Sequence, residues 1–451
     1  MSKPKFTFID LFSGIGGFHA AMTAFGGKCV YSVEIDKAAA KTYQDNWGMK
    51  SLGDITEDAN ELTMVVPPHD VLCAGFPCQP FSKSGAQRGM EETRGTLYWN
   101  ILRIIHEHKP SIVLLENVRN ISGPRHAHEW AVIISTLRGE GYRVSDQPSI
   151  FSPHLLPPER GGRPQVRERV FITATRIDKP KENDLIALPA VNNRPVDGWD
   201  PQGWNLKKHL PLESSRKLKG CELSDSEILW IDAWDEFVQQ LREENEGEKL
   251  PGFPIWADHW QVSQRNLNSQ IAEAPKWKAN FLSKNASLYE EHEVFLKEWL
   301  KKWGVLSDAF PPSRRKLEWQ AQDTPRLWDT IMHLRPSGIR AKATTYVPAL
   351  VAITQTSIYG PLKRRLSVRE AARLQGLPDW FNFDKQPATI SYRQLGNGVS
   401  VGAVWHVMRE HVTRDEEILK ITNPKLLRSV MNAPLSPDVV LKELKKNADT
   451  I

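Results

Sequence analysis

Residues 6–18 read FTFIDLFSGIGGF. The aromatic and β-branched run ending at Phe12 predicts a buried strand, Ser13-Gly14-Ile15-Gly16-Gly17 a tight turn, and Phe18 to Phe25 a helix. Glycines at a strand-to-helix turn let the backbone approach a ligand closely and admit positive φ. The same alternation continues outward. Lys28–Ile35 (KCVYSVEI) predicts a second strand and Lys37–Asn46 a helix. Asp70–Phe76 (DVLCAGF) and Ser111–Asn117 (SIVLLEN) are short apolar runs of the kind buried on both faces, with a helical pattern over Leu97–His108 between them. Arg143–Phe151 and Arg169–Thr175 predict further strands. Apolar strands alternating with amphipathic helices specify an α/β fold with a doubly wound, largely parallel sheet. Ligands in such sheets sit at the carboxyl ends of the strands.

The chain has 451 residues, long enough for about three domains. At 40% hydrophobic and 25% charged it is of ordinary globular composition, which excludes wholesale disorder and fibrous repeats. No run of about 18 apolar residues appears, so no membrane span is expected. Met1 to Lys5 lacks the character of a signal peptide. The four cysteines (Cys29, Cys73, Cys78, Cys221) make neither a disulfide framework nor a Cys-x-x-Cys pair, so no metal site and a reducing, cytoplasmic compartment are expected. A net charge of +5 permits a nucleic-acid partner without requiring one.

The character changes near Lys179. Eleven of the sixteen tryptophans lie between Trp199 and Trp328, and at that density they read as core. Glu222 to Glu248 holds ten acidic residues against Arg242 alone, and so should face solvent or protein. From Arg335 to Arg373 the balance reverses, with eight Lys or Arg against Glu370. An apolar, motif-like region returns over Leu366–Val404, and Thr413–Ile451 is polar and amphipathic.

Four features carry chemistry. Glu34 ends the second strand twenty positions after Gly14, where a carboxylate can accept both hydroxyls of a ribose; Asp54 could accept from an adenine amino group. The glycine spacing fits neither G-x-G-x-x-G nor G-x-x-x-x-G-K-S/T, which disfavours a nicotinamide dinucleotide and a nucleoside triphosphate. Gly75-Phe76-Pro77-Cys78-Gln79-Pro80-Phe81-Ser82 places one thiol on a proline-stiffened loop directly after a strand, a nucleophile if its pKa is lowered, an inert cysteine otherwise. Glu116-Asn117-Val118 ends the next strand with a carboxylate suited to acid–base work. In Gln165-Val166-Arg167-Glu168-Arg169 the two arginines point the same way along an extended segment, where paired guanidiniums hold a phosphate or carboxylate.

Taken in order, these blocks resemble the motifs of the DNA (cytosine-5)-methyltransferases of bacterial restriction–modification systems. DLFSGIGGF, GFPCQPFS, Gly95-Thr96-Leu97-Tyr98, ENV and QVRER are similar to motifs I, IV, V, VI and VIII; Arg365–Phe381 and Tyr392–Gly402 are similar to motifs IX and X. Ser13 stands where many members have alanine, and Gly398 where many have serine. The resemblance implies a Rossmann-like domain using S-adenosyl-L-methionine as methyl donor, contacted by Phe12, Gly14, Gly17, Glu34, Asp54, Ile55, Pro77, Leu97, Asn397 and Val399. It implies that Cys78 attacks cytosine C6, that Glu116 protonates N3, and that Arg167 and Arg169 hold the base, Arg169 at O2. A base inside a duplex is out of reach of such a loop, so the target must be flipped out.

The resemblance also assigns the long stretch between motifs VIII and IX to a smaller target-recognition domain. The expected division is 1–178 catalytic, 179–362 target recognition, 363–412 a return to the catalytic domain, and 413–451 an extension. Double-stranded DNA is the expected partner, contacted by Gln79, Ser82 and Arg88 on a lid-like loop and by Arg335, Arg340, Lys342 and Thr344 in the second domain. Arg314, Arg315 and Lys316 are a second basic candidate. A monomer is expected, with a restriction endonuclease acting separately. Rival readings are the tRNA-methylating branch of the same family, a non-catalytic DNA-binding regulator, and a nicotinamide dehydrogenase.

Overall fold

The computed structural model describes residues 4–77, 96–214, 218–247, 249–260, 264–351 and 356–448. Its main sheet is built from β1 (Phe6–Leu11), β2 (Gly27–Val33), β3 (Val71–Gly75), β4 (Ile112–Val118), β5 (Tyr142–Val144), β6 (Ser149–Phe151) and, beyond the two-residue β7 (Gln165–Val166), β8 (Arg169–Arg176). The order is β2-β1-β3-β4-β8-β5, with β6 also paired to β8. The pairs β1–β2, β1–β3 and β3–β4 are parallel, so the four strands carrying the predicted motifs all deliver their carboxyl ends to one edge. β8 returns antiparallel to β4, and β5 and β6 pair antiparallel with it. The expected single strand over Arg143–Phe151 is split in two, because Gln147-Pro148 interrupts it and proline has no N–H for the ladder.

The connecting helices begin where short polar side chains cap them. Asp36 accepts from the N–H groups of Ala38 and Ala39 at the start of Lys37–Trp47. Thr96 caps Leu97–His108 in the same way. Each helix buries its apolar face on the sheet, and β3 and β4 are inaccessible over most of their length. The chain's far end returns to this unit. Helix Val401–Arg414 packs on helix Gly17–Ala24, and Trp405 stacks on Phe25 with ring centroids 3.6 Å apart. The C-terminal helices are tied down as well: Arg163 pairs with Asp438 at 2.6 Å, and Asn423 donates to Asp70 at 2.9 Å.

A second sheet is formed by β9 (Ile255–Trp256), β10 (Lys316–Gln320), β11 (Thr330–Arg335), β12 (Gly338–Ala343), β14 (Ile358–Tyr359) and β15 (Arg364–Arg365), while β13 (Val347–Pro348) pairs with β7. Helices Asp225–Glu244, Lys276–Glu291 and Glu293–Trp303 contribute to its separate core, where Trp234, Phe237, Trp260 and Trp299 form an aromatic cluster. The tryptophans expected in the core are mostly there, and Trp277, 62% exposed, departs from that expectation. The acidic helix Asp225–Glu244 turns Ile231, Trp234, Phe237 and Leu241 inward, exposes Asp225, Glu243 and Glu244, and pairs Glu227 with Arg365 and the buried Asp235 with Arg326. Val191, Leu206 and Leu210 belong to the first core, so the stretch expected to open the second domain packs on the catalytic unit. No described helix is long and apolar enough to cross a membrane.

Candidate active site

The turn after β1 requires unusual backbone. Phe12, Gly14 and Gly16 have φ of 55°, 54° and 92°. Gly16 also has no room for a side chain: a Cβ there would lie 2.2 Å from Trp47 Nε1. The Gly14 N–H, freed from the strand, donates to Glu34 at 2.8 Å. The other Glu34 carboxylate oxygen accepts from the Asp36 N–H at 2.8 Å, so the carboxylate at the end of β2 is held by backbone on both sides. Asp54 caps the short helix Ile55–Asp58 by accepting from Thr56. Ser13, at the position that departs from the family pattern, shares a hydrogen bond with Ser51.

Phe12, Gly14, Glu34, Asp36 and Asp54 line one cavity of about 760 Å³ at the carboxyl edge of the sheet. Of the ten residues expected at the cofactor, Phe12, Gly14, Glu34, Asp54, Ile55, Pro77, Leu97 and Asn397 lie on its walls. Gly17 and Val399 pack on each other instead: a Cβ on Gly17 would come within 2.7 Å of the Val399 carbonyl. Two groups on the walls escaped the sequence reading. Arg393 pairs with Asp36 at 3.2 Å, and the segment Ala349–Val351 closes one side. Arg393 lies in the motif X block Tyr392–Gly402 without having been singled out there, whereas Ala349–Val351 belongs to no pattern with an evident mechanism.

At the other end of the cavity Glu116 and Arg169 meet, Nε to Oε1 at 2.9 Å. Burial pushes the Glu116 carboxyl above its ordinary pKa, with Arg169 and Arg167 pulling the other way. Asn117, buried beside it, donates to the Phe76 carbonyl at 2.8 Å and so fixes the chain directly before Pro77 and Cys78. Its place next to Glu116 at a strand end was the available signal. Cys78 itself, with Gln79, Ser82 and Arg88, lies outside the described residues.

Arg167 has a post different from the one expected. The extended run breaks between β7 and β8, and Arg167 turns into the protein interior. Its guanidinium donates to the carbonyls of Leu350 at 2.7 Å, Gly396 at 2.7 Å and Gly398 at 2.6 Å. The three carbonyls hold both terminal nitrogens and commit them to backbone, while Nε is buried without a partner among the described residues. It therefore ties the cavity's side wall to the Asn397 turn while Arg169 faces the cavity.

In the second sheet Arg335 is exposed, Arg340 pairs with Glu318 at 2.6 Å, Lys342 lies 6.0 Å from the Tyr346 ring, and the Thr344 carbonyl accepts from Leu206. Arg314 and Arg315 donate to the carbonyls of Arg335 and Phe310, and Lys316 lies 3.7 Å from Asp258.

The family described as C-5 cytosine-specific DNA methylase matches residues 6–413. Type II methyltransferase M.AluI of Cellulosimicrobium cellulans is 48% identical over 98% of this chain and 99% of its own length. M.BanI of Aneurinibacillus aneurinilyticus is 31% identical over 90% and 95%. M.HhaI of Haemophilus parahaemolyticus is 44% identical over 40% of this chain and 53% of its own length. With ordered motifs converging on one strand-end cavity and a family match running through both sheets, the chain belongs to the C-5 cytosine-specific DNA methylases.

Proposed function

We propose that this enzyme methylates C5 of a cytosine rotated out of duplex DNA at a specific short sequence, using S-adenosylmethionine and a covalent bond from Cys78 to C6, as the modification enzyme of a restriction–modification system. The observation that carries the reading is the single cavity with Glu34 and Asp54 at one end and the Glu116–Arg169 pair at the other. The relatives are named Type II methyltransferases, which supports the restriction–modification setting.

The wall residues fit the donor. Glu34 retains acceptor capacity for ribose hydroxyls beyond the two N–H groups it holds, Asp54 offers an acceptor beside Ile55, and Phe12, Ile55 and Leu97 supply apolar walls. When bound there, S-adenosylmethionine supplies an electrophilic methyl group on sulfur.

The protein's own groups perform the rest. Cytosine C5 is a weak nucleophile, and addition of the Cys78 thiolate to C6 turns the C5–C6 bond into an enamine. Glu116 gives a proton to N3 as charge accumulates there, a role suited to a carboxyl whose burial favours its neutral form. Arg169, held by Glu116, presents donors toward cytosine O2. After methylation at C5, loss of the C5 proton to water with expulsion of the Cys78 thiolate, and return of the N3 proton to Glu116, restore the ring. Asn117 and Arg167 act as positioning residues, one on the loop carrying Cys78, the other on the wall and the Asn397 turn.

Transfer of labelled methyl to duplex DNA and, in parallel, to tRNA, with positions mapped by sequencing, tests the reading. Label at cytosine C5 in one short DNA motif is expected. Label on tRNA alone would replace the substrate, and label on neither would leave a regulator.

A further inference from the structure

The polar face of the second sheet carries a row of three side chains from three strands. In register, His333 on β11 stands opposite Arg340 on β12, and Arg340 stands beside Glu318 on β10. The alternate residues Met332, Ile339, Ala341 and Leu317 point into the tryptophan core, so the row lies on the other side. That side faces the catalytic unit, because Ile331, next but one to His333 along the strand, packs in the first core with Val347 and Leu350.

The row is held rigidly. Glu318 receives Arg340 through Nε and Nη2 on one oxygen, both at 2.6 Å, and the Ser337 hydroxyl on the other at 3.0 Å. Ser337 belongs to the hairpin turn before Gly338, where a Cβ would come within 2.9 Å of the Lys316 carbonyl. His333 Nε2 shares a hydrogen bond with Ser357 at 2.6 Å, while its Nδ1 is buried without a partner among the described residues. Burial, with Arg335, Lys342 and Arg340 nearby, holds His333 down at about 4, so the ring is neutral near pH 7. His333 and Arg340 line a cavity of about 230 Å³ that shares the wall Ala349–Val351 with the catalytic cavity and has no acidic residue on its own described walls, Glu318 standing behind Arg340.

Resting on the DNA reading above, we propose that Arg340, aimed by Glu318, reads a guanine of the target sequence beside the flipped cytosine, and that His333 contacts an adjoining base edge. A carboxylate on the Nε edge leaves Nη1 and the second Nη2 hydrogen for guanine O6 and N7, the commonest specific contact to a base. The alternative occupant of a cationic pocket, a backbone phosphate, requires only charge and no fixed fork.

The test uses the full-length chain, labelled S-adenosylmethionine and a pool of duplexes randomised around cytosine, with kcat/KM compared for the preferred sequence and each single-base variant of it. R340K keeps the charge and the stem but loses the fork, so it should fold and hold Glu318. It is expected to lose about 5- to 150-fold of discrimination at one base pair while discrimination elsewhere is unchanged. E318Q should lose discrimination at that same base pair to a smaller extent. Retention of full discrimination by R340K overturns the proposal. So does an even loss over all sequences in R340A, with the salt dependence falling by about one counterion. A wild-type chain that methylates no duplex would overturn the DNA reading itself, whereas one that methylates its motif and is matched by R340K overturns this proposal alone.

Discussion

The catalytic cavity and the polar face of the second sheet hold their side chains by opposite means. Around the cavity, apart from the Glu116–Arg169 and Asp36–Arg393 pairs, the backbone is the anchor: the Gly14 and Asp36 N–H groups hold Glu34, and the carbonyls of Phe76, Leu350, Gly396 and Gly398 hold Asn117 and Arg167. On the second sheet side chains anchor one another, Ser337 to Glu318 to Arg340 and Ser357 to His333. Backbone anchors bind the site to the fold, so the residues around them appear as contiguous motifs. Side-chain anchors can be exchanged in small sets without disturbing the strands that carry them. A reaction that does not vary and a target sequence that does would each be served by its own arrangement.

The contrast can be broken most severely at the nucleophile. C78S should lower turnover by about 10⁴-fold or more while cofactor and DNA binding persist, since oxygen at that position is a far weaker nucleophile near neutral pH. Single-turnover methyl transfer beside equilibrium binding checks this, and unchanged turnover would sink the covalent route.

Next is the acid. E116Q should cost about 10²- to 10⁴-fold in kcat, the usual worth of a positioned general acid. Burial raises the Glu116 pKa, so the neutral acid persists to higher pH than for a free carboxyl and is lost as pH rises through that raised value. The wild-type rate should therefore fall on that alkaline side, and the E116Q profile should lack that limb.

A change confined to the second core sharpens the comparison. Trp234 is fully buried among Phe237, Trp260 and Trp299, and its indole N–H donates to the Arg314 carbonyl at 2.8 Å. W234A should destabilise that core by about 3–5 kcal/mol, as large-to-small substitutions of buried aromatics do. Thermal melting would register the loss, and calorimetry should find S-adenosylmethionine binding by the first unit nearly unchanged. A parallel collapse of cofactor affinity would mean the two cores fold as one.

The smallest effect is expected at Glu34. E34Q keeps one backbone contact and removes the charge, and should weaken S-adenosylmethionine by about 10- to 100-fold, the worth of hydrogen bonds to a charged acceptor. Maximal turnover at saturating donor should change much less, which separates a binding residue from the chemistry at Glu116.

The legibility of each region follows the same division. Strands at 6–11, 71–75 and 112–118 were readable because apolar runs of that length, alternating with helical patterns, have few other ways to be buried. Glu34 and Glu116 were readable because strand ends are where a doubly wound sheet exposes chemistry, while Asp54 caps the short helix Ile55–Asp58 on the same cavity. Arg167 misled. Alternation in an extended run puts it on the same side as Arg169, but the run breaks between β7 and β8, and three carbonyls from chain segments some 180 to 230 positions away drew the guanidinium inward. Arg340 stood out as a cation in a basic stretch, yet nothing local to Glu318, lying in another strand, linked the two.

The sequence by itself therefore determined the α/β class, the order of the motifs, the carboxylates at the strand ends and the family. Local periodicity and turn chemistry act over a few residues and leave their mark in every window of that length. Only the tertiary structure decided that Arg167 holds backbone while Arg169 faces the cavity, that Ala349–Val351 closes one side of the pocket, and that Glu318, His333 and Arg340 form one row. Those outcomes turn on which distant groups become neighbours when two cores close. Burial then makes an unsatisfied guanidinium or carboxylate costly enough to select its partners from anywhere in the chain.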